Sequence, residues 1–76
     1  MPLVFQSHEI LQIEKININD IVTLSDINGR VLLKHRISEQ PITQVSLNGI
    51  SSGIYFYHIL LQKHQKEYAS KILISK

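Results

Sequence analysis

At 76 residues and with no cysteine, the chain has the length of one small domain and cannot use a disulfide or a thiolate zinc site to reinforce its core. Hydrophobic residues make up 43% and charged residues 18%, as in a globular protein. The net charge is only +2 and Lys and Arg are spread along the chain, so a nucleic-acid partner is not predicted. No apolar run approaches the ~20 residues needed to span a bilayer, and the N-terminus, MPLVFQSHEI, lacks the charged and apolar regions of a signal peptide. We therefore expect residues 1–76 to form one domain without a transmembrane segment.

The first twenty residues predict two short strands. Leu3–Phe5 is an apolar patch that could pair at a sheet edge. In His8–Glu14, apolar and polar residues alternate imperfectly, and we interpret this segment as a strand. Lys15–Asp20 alternates Ile and Asn, and is either a loop or the continuation of a strand.

The segment Asp20–Ile37, DIVTLSDINGRVLLKHRI, is the clearest local folding signal and predicts a β-hairpin. Asn28 and Gly29 lie between two runs of Val, Ile and Leu, and both tolerate the positive φ that tight hairpin turns need. Asp26 precedes the turn and is expected to accept hydrogen bonds from the backbone N–H groups that follow it. The period of two directs one set of side chains inward: Val22, Leu24, Val31, Leu33, His35 and Ile37.

Beyond the hairpin, a polar connection at Ser38–Pro41 precedes a predicted strand at Ile42–Leu47, whose Thr43, Val45 and Leu47 share one face. Asn48–Gly53 contains two glycines within six residues and is a turn region. Its single apolar residue, Ile50, is expected to anchor this loop in the core.

The last two predicted strands are Ile54–Gln62 and Glu67–Ile74. The first is apolar on both faces and should therefore lie centrally, with Tyr55, Tyr57 and Ile59 on one side and Ile54, Phe56 and Leu60 on the other. In the second, Tyr68, Ile72 and Ile74 share a face. The total of six or seven short strands, with turn signals about every 8–12 residues, predicts an all-β sandwich or barrel.

No arrangement of polar residues points to catalysis, a cofactor or a metal. The four histidines form no HxH or HExxH pattern and are better interpreted as structural: His8, His35, His58 and His64. The segment Gly49–Gly53 resembles the GxSxG motif only superficially, because that motif needs a following helix. The six carboxylates are scattered, and a domain of this size has little room for a substrate cleft. We do not expect an enzyme.

The aromatic residues could in principle form a binding platform. Tyr55, Phe56 and Tyr57 are consecutive on a strand, however, so they cannot all face one ligand together with Tyr68. Core packing with one exposed ring is the favoured interpretation.

Three segments, in order and in spacing, resemble the C-terminal sorting domain of the type IX (Por) secretion system, found at the end of many exported Bacteroidetes proteins. Asp26, Asn28, Gly29 and Arg30 match the family's D-x-x-G-[KR] turn. Ile50, Gly53 and Tyr55 match L-x-x-G-x-Y, with Ile in place of the usual Leu. The final KILISK, Lys71–Lys76, matches K-[LIV]-[LIV]-[LIV]-x-K. The usual Pro-Asn-Pro opening of the family is not present, and Met1-Pro2-Leu3 stands there.

This resemblance implies a small immunoglobulin-like β-sandwich of about seven antiparallel strands that is a secretion signal and not an enzyme. It implies that the domain marks a cargo for the outer-membrane translocon, reaches the cell surface or medium through the periplasm, and is removed by a sortase-like peptidase. We expect Gly29, Gly53 and Tyr55 to be structural determinants. The recognition end is expected to comprise Lys71, Ile72, Leu73, Ile74 and Lys76, through strand addition or capture of the terminal carboxylate.

Two other functions remain open from the residues alone. One is a carbohydrate-binding or adhesion module of a bacterial surface protein, which needs exposed aromatic rings on one face. The other is an oligomerisation domain, for which pairing of edge strands between two copies is the natural mode.

Overall fold

Seven β-strands and no helix make up the protein, in a computed structural model that describes all 76 residues. The strands are β1 (Leu3–Ser7), β2 (Ile10–Glu14), β3 (Ile21–Ser25), β4 (Val31–Arg36), β5 (Ile42–Ser46), β6 (Gly53–Leu61) and β7 (Lys66–Ile74). They form two antiparallel sheets, one with the order β1-β2-β5 and one with the order β4-β3-β6-β7. The expected all-β, immunoglobulin-like sandwich is confirmed, and no helix is present that could cross a membrane.

The core lies between the two sheets and is filled by the inward side chains of both. Alternation along β2, β3 and β5 is strict, as the period of two predicted, because each of these strands buries one face and wets the other. The buried hydrophobic residues are Leu11, Ile13, Ile16, Val22, Leu24, Ile37, Val45, Leu47, Tyr55, Ile59, Leu61 and Ile74. Ile50 is partly buried against this cluster, so its predicted anchoring of the loop is confirmed.

The predicted hairpin forms between β3 and β4, but its turn is longer than a two-residue loop. Asp26 N–H donates to Arg30 O at 3.0 Å, and Gly29 N–H donates to Asp26 O at 3.0 Å. Gly29 has φ +86°, whereas Asn28 keeps a negative φ. This is a type I turn followed by a left-handed glycine, the usual three-residue hairpin loop. Only Gly29 therefore uses the conformational freedom that the Asn-Gly pair offered.

The prediction that Val31 points inward is wrong. Ser25 pairs with Val31 while Leu24 pairs with Leu33, so Leu32 is an extra residue in β4 and forms a bulge. The bulge reverses the alternation at the start of β4. Val31 is consequently 56% exposed, and Leu32 packs against the core instead.

β6 lies inside its sheet between β3 and β7, as its apolar sequence predicted, but only one of its faces is covered. Tyr55 and Ile59 are buried, whereas Ile54 and Phe56 on the opposite face are 48% and 43% exposed. The run of apolar residues therefore marks a strand with paired neighbours on both edges, not a strand with both faces buried.

A buried aspartate holds the connection between the two sheets at one end of the sandwich. Asp20 is 1% exposed, and its two carboxylate oxygens accept hydrogen bonds from Asn17 N–H and Gln62 N–H, both at 3.0 Å. Asn17 belongs to the β2–β3 connection and Gln62 follows β6. The carboxylate thus fixes this crossover of the chain against the far end of the central strand.

Candidate functional site

The three segments that stood out in the sequence converge at the other end of the sandwich, around the β5–β6 loop (residues 47–52). The β3–β4 turn faces this loop across a shallow cleft, β6 begins directly after it, and the end of β7 bonds to it. Because antiparallel strands start and end at the two ends of a sandwich, segments about 20 residues apart in the chain become neighbours here.

The β3–β4 turn is held by the side chain of Asp26. Its Oδ1 accepts hydrogen bonds from Asn28 N–H and Arg30 N–H, both at 2.9 Å, so the predicted turn-forming role of this aspartate is confirmed. The Arg30 Nε atom lies 3.9 Å from Asp26 Oδ2, and the arginine side chain is 79% exposed. An ion pair this long and this exposed stabilises little. Arg30 is therefore available to solvent or to a partner.

The β5–β6 loop is shaped by its glycines and by one tyrosine. Gly49 has φ +86° and follows a turn in which Ile50 N–H donates to Leu47 O at 2.9 Å. The Tyr55 hydroxyl donates to Ser51 O at 2.6 Å, four residues back along the chain. The same ring lies over Gly53, with its nearest atom 3.6 Å from where a Cβ would stand. Tyr55 thereby ties the loop to the start of β6.

Between the turn and the loop lies an open cleft of about 440 Å³. Its lining is mixed: Asp26, Arg30, Leu32, Asn48, Gly49, Ile50, Ser51 and Tyr55. In this lining, Asp26 Oδ1 accepts hydrogen bonds from two backbone N–H groups. No group of three or more His, Asp or Glu side chains is placed to hold a metal ion. The cleft offers a surface for contact of mixed polar and apolar character.

The predicted recognition end is an edge strand with two different faces. β7 pairs only with β6, which leaves the backbone of its other edge without a strand partner. Ile74 is fully buried and Ile72 partly buried, whereas Leu73 is 68% exposed and Lys71 is exposed. Within β7, Lys71 and Leu73 can therefore be reached from solvent without opening the core.

After β7, the chain crosses to the other sheet and is bound there. The side chain of Gln6, on β1, accepts a hydrogen bond from Ser75 N–H at 2.9 Å and donates one to Ser75 O at 2.8 Å. Lys76 N–H donates to Ser52 Oγ at 2.9 Å. Ser75 and Lys76 thus connect the edge strand of one sheet to the edge strand of the other and to the β5–β6 loop.

The Lys76 side chain is largely enclosed and does not extend into solvent. It is 20% exposed, and its ammonium donates to Leu47 O at 2.6 Å and lies 3.4 Å from the Glu9 carboxylate. A hydrogen bond from a charged donor to a carbonyl is stronger than a neutral one. We call the contacts of Ser75 and Lys76 with Gln6, Glu9, Leu47 and Ser52 the C-terminal latch.

The residues that hold the latch and the crossover were not identified from the sequence. Gln6 and Glu9 lie in or beside a short strand where polar residues are ordinary, and only the register of two distant strands reveals their partners. Asp20 carried a weak signal, since it is a carboxylate at the exact start of an apolar strand.

The remaining polar and aromatic candidates do not assemble into a second site. His58 Nε2 lies 3.7 Å from Glu67 Oε1, and both side chains are substantially exposed. Tyr55 is buried, Tyr57 and Tyr68 are partly buried, and Phe56 is exposed. The expectation of core packing with one exposed ring is confirmed for these four residues.

Comparison with known proteins gives one match. A family model described as the secretion system C-terminal sorting domain matches residues 6–75. Neither a curated protein nor a solved structure matches the chain. The matched range includes the first two convergent segments in full and the third as far as Ser75, and it begins at Gln6, the residue that holds Ser75.

Proposed function

Since the chain belongs to the family of type IX secretion system C-terminal sorting domains, we propose that residues 1–76 act as one sorting module, which directs the cargo to which it is joined through the outer-membrane translocon. Members of this family are secretion signals, generally without catalytic activity. The cargo then reaches the cell surface or the medium, and a sortase-like peptidase removes the module.

The observation that carries this proposal is the convergence of the three family segments at one end of the sandwich. Strand topology brings the segments to the same end, and their contacts there join them into one surface. Here the β3–β4 turn lines a cleft with the β5–β6 loop, and the end of β7 binds that loop through Lys76. A partner that reads this end would contact all three segments together.

Recognition in this proposal uses the free edge of β7 and the outward side chains of Lys71 and Leu73. A strand without a partner on one edge can accept an extended segment by strand addition. The same strand is supported from inside. Ile72 and Ile74 pack in or against the core, and Lys76 forms part of the C-terminal latch. They keep β7 in place so that the translocon can bind its edge and its outer face.

The test is a fusion of residues 1–76 to a periplasm-directed reporter, in a Bacteroidetes host that has this secretion system. We expect the wild-type fusion to reach the surface or the medium and a fusion lacking Lys71–Lys76 to remain in the periplasm. That deletion also removes part of the core, so a sharper variant is Lys71→Glu, which alters an exposed side chain only. Lys63→Glu, in the exposed β6–β7 turn, is the matched control.

We expect export of the Lys71→Glu fusion to fall at least fivefold while the Lys63→Glu fusion is exported like wild type. Removal of the module is read from the mass of the exported reporter, which should lack the 8.8 kDa of the domain. Periplasmic retention of the wild-type fusion, unchanged by the deletion, would contradict the sorting role.

A further inference from the structure

The outer faces of both sheets carry exposed apolar residues, but these are arranged differently. In the three-stranded sheet, Leu3, Phe5 and Ile42 lie on the edge strands, and the central strand β2 places Gln12 and Glu14 between them. Gln12 Nε2 donates to Glu14 Oε2 at 2.7 Å, and Gln44 Nε2 donates to Gln12 Oε1 at 3.3 Å. A chain of amide and carboxylate groups therefore occupies the middle of this face, as expected for a sheet surface exposed to water.

The outer face of the four-stranded sheet is apolar at one end, near the β3–β4 turn. Phe56 on β6 stands beside Ser25 on β3, which in turn stands beside Val31 on β4. Ile54, also on β6, stands beside Leu73 on β7. We call Val31, Ile54, Phe56 and Leu73 the outer patch; their exposed fractions are 56%, 48%, 43% and 68%. Clustered exposed apolar side chains are typical of a surface that another molecule covers.

Two cations border this patch. Lys71 pairs directly with Phe56 across β6 and β7, and Lys34 lies exposed on β4, in the next outward-facing row. Arg36 and Glu67 lie farther along the face, in one row with Ile21 and Leu60 between them, and Glu67 is 3.7 Å from His58. The charges nearest the outer patch on these strands are therefore those of Lys34 and Lys71.

We propose that the outer patch is a docking surface for a protein partner whose own apolar surface is bordered by carboxylates. Its apolar residues supply the contact area and the two cations select the partner, since complementary charge gives specificity and faster association. A second copy of this chain fits less well, because stacking two such patches brings Lys34 and Lys71 of one copy toward the same cations of the other. The proposal rests on the sorting function and extends the contact from the β7 residues Lys71 and Leu73 to β4 and β6.

The experiment uses the reporter fusion with substitutions that leave β7 untouched. Val31→Thr combined with Phe56→Thr removes apolar contact from the outer patch while keeping residues that strands accept. Leu3→Thr combined with Phe5→Thr is the matched control, because these residues are 45% and 42% exposed on the other sheet. Lys34→Glu tests the charge without altering any apolar residue. Thermal unfolding and gel filtration of each purified domain accompany the export assay.

We expect the Val31→Thr/Phe56→Thr and Lys34→Glu fusions to be exported at least fivefold less than wild type. The Leu3→Thr/Phe5→Thr fusion should stay within twofold of it, and all domains should be folded and monomeric. If the double variant unfolds, export of the Lys34→Glu fusion alone tests the docking surface.

Export of Lys34→Glu and of a folded outer-patch variant at the wild-type level would overturn the docking surface while leaving the sorting function intact. An equal loss in the Leu3→Thr/Phe5→Thr control would also overturn it, and so would a wild-type dimer that the outer-patch substitutions dissociate. Failure of the wild-type fusion to leave the periplasm would instead refute the sorting function, and with it this inference.

Discussion

The side-chain amide of Gln6 binds both backbone polar groups of Ser75, accepting from its N–H at 2.9 Å and donating to its carbonyl at 2.8 Å. This is the pattern that a neighbouring strand would provide, supplied by one side chain. The two residues are 69 positions apart; Gln6 lies on β1 of one sheet, and Ser75 directly follows β7 of the other. The start and the end of the domain are therefore held together, and the order of the C-terminal segment depends on β1.

Gln6→Ala should loosen the C-terminal segment without unfolding the domain. A hydrogen bond contributes about 0.5–1.5 kcal/mol net, and Gln6 is partly solvated, so we expect the free energy of unfolding to fall by about 1 kcal/mol. Urea denaturation measures this loss, and amide hydrogen exchange should quicken at Ser75 and Lys76. Gln44→Ala is the control, because its one contact, to Gln12, is 3.3 Å long and exposed. Equal losses in the two variants would show that the latch contributes nothing of its own.

Lys76→Met should destabilise the domain more than Glu9→Gln does. The ammonium of Lys76 donates to the Leu47 carbonyl at 2.6 Å in a partly buried position, whereas its 3.4 Å contact with Glu9 involves an exposed carboxylate. We expect about 1–2 kcal/mol for the lysine and less than about 0.5 kcal/mol for the glutamate. Chemical denaturation at low and high salt checks this, since only the ion pair is screened. Lys63→Met, in an exposed turn, should be neutral.

Asp26→Ala should cost about 1 kcal/mol, since two turn N–H groups lose their acceptor. Asp26→Asn should retain most of this stability, because the amide oxygen can accept both hydrogen bonds. Arg30→Ala should change stability by less than about 0.5 kcal/mol, as its ion pair is long and exposed. Thermal melting of the three variants tests the ranking, and a loss in Arg30→Ala as large as that in Asp26→Ala would contradict it.

Asp20→Ala should be the most destabilising of these substitutions. Asp20 is 1% exposed and accepts hydrogen bonds from Asn17 N–H and Gln62 N–H. The substitution would leave both N–H groups without this acceptor. Each buried unsatisfied group costs about 1–3 kcal/mol, so we expect a loss on the order of 3 kcal/mol in a small domain of marginal stability. Asp20→Asn keeps one acceptor oxygen and should lose less. Circular dichroism and urea titration distinguish the two.

Much of the fold could be predicted from the sequence because its strands alternate. Thr43, Val45 and Leu47 face the core as their spacing of two required, and so do Val22 and Leu24. The hairpin was predictable from the Asn-Gly pair, but the bulge at Leu32 was not, since it depends on the pairing of β4 with β3 and not on β4 itself. Val31 was misplaced for that reason.

The segments that form the candidate site could be predicted from the sequence, but their common position in the fold could not. The all-β class, the turns and the three family segments could be predicted from the residues, because strand periodicity and turn chemistry act over a few neighbouring positions. Three features emerge only in the folded chain: the segments meet around one loop, Gln6 and Lys76 close the domain, and the apolar run of β6 leaves one face in solvent. Those features depend on sheet order and register, which bring together residues up to 69 positions apart.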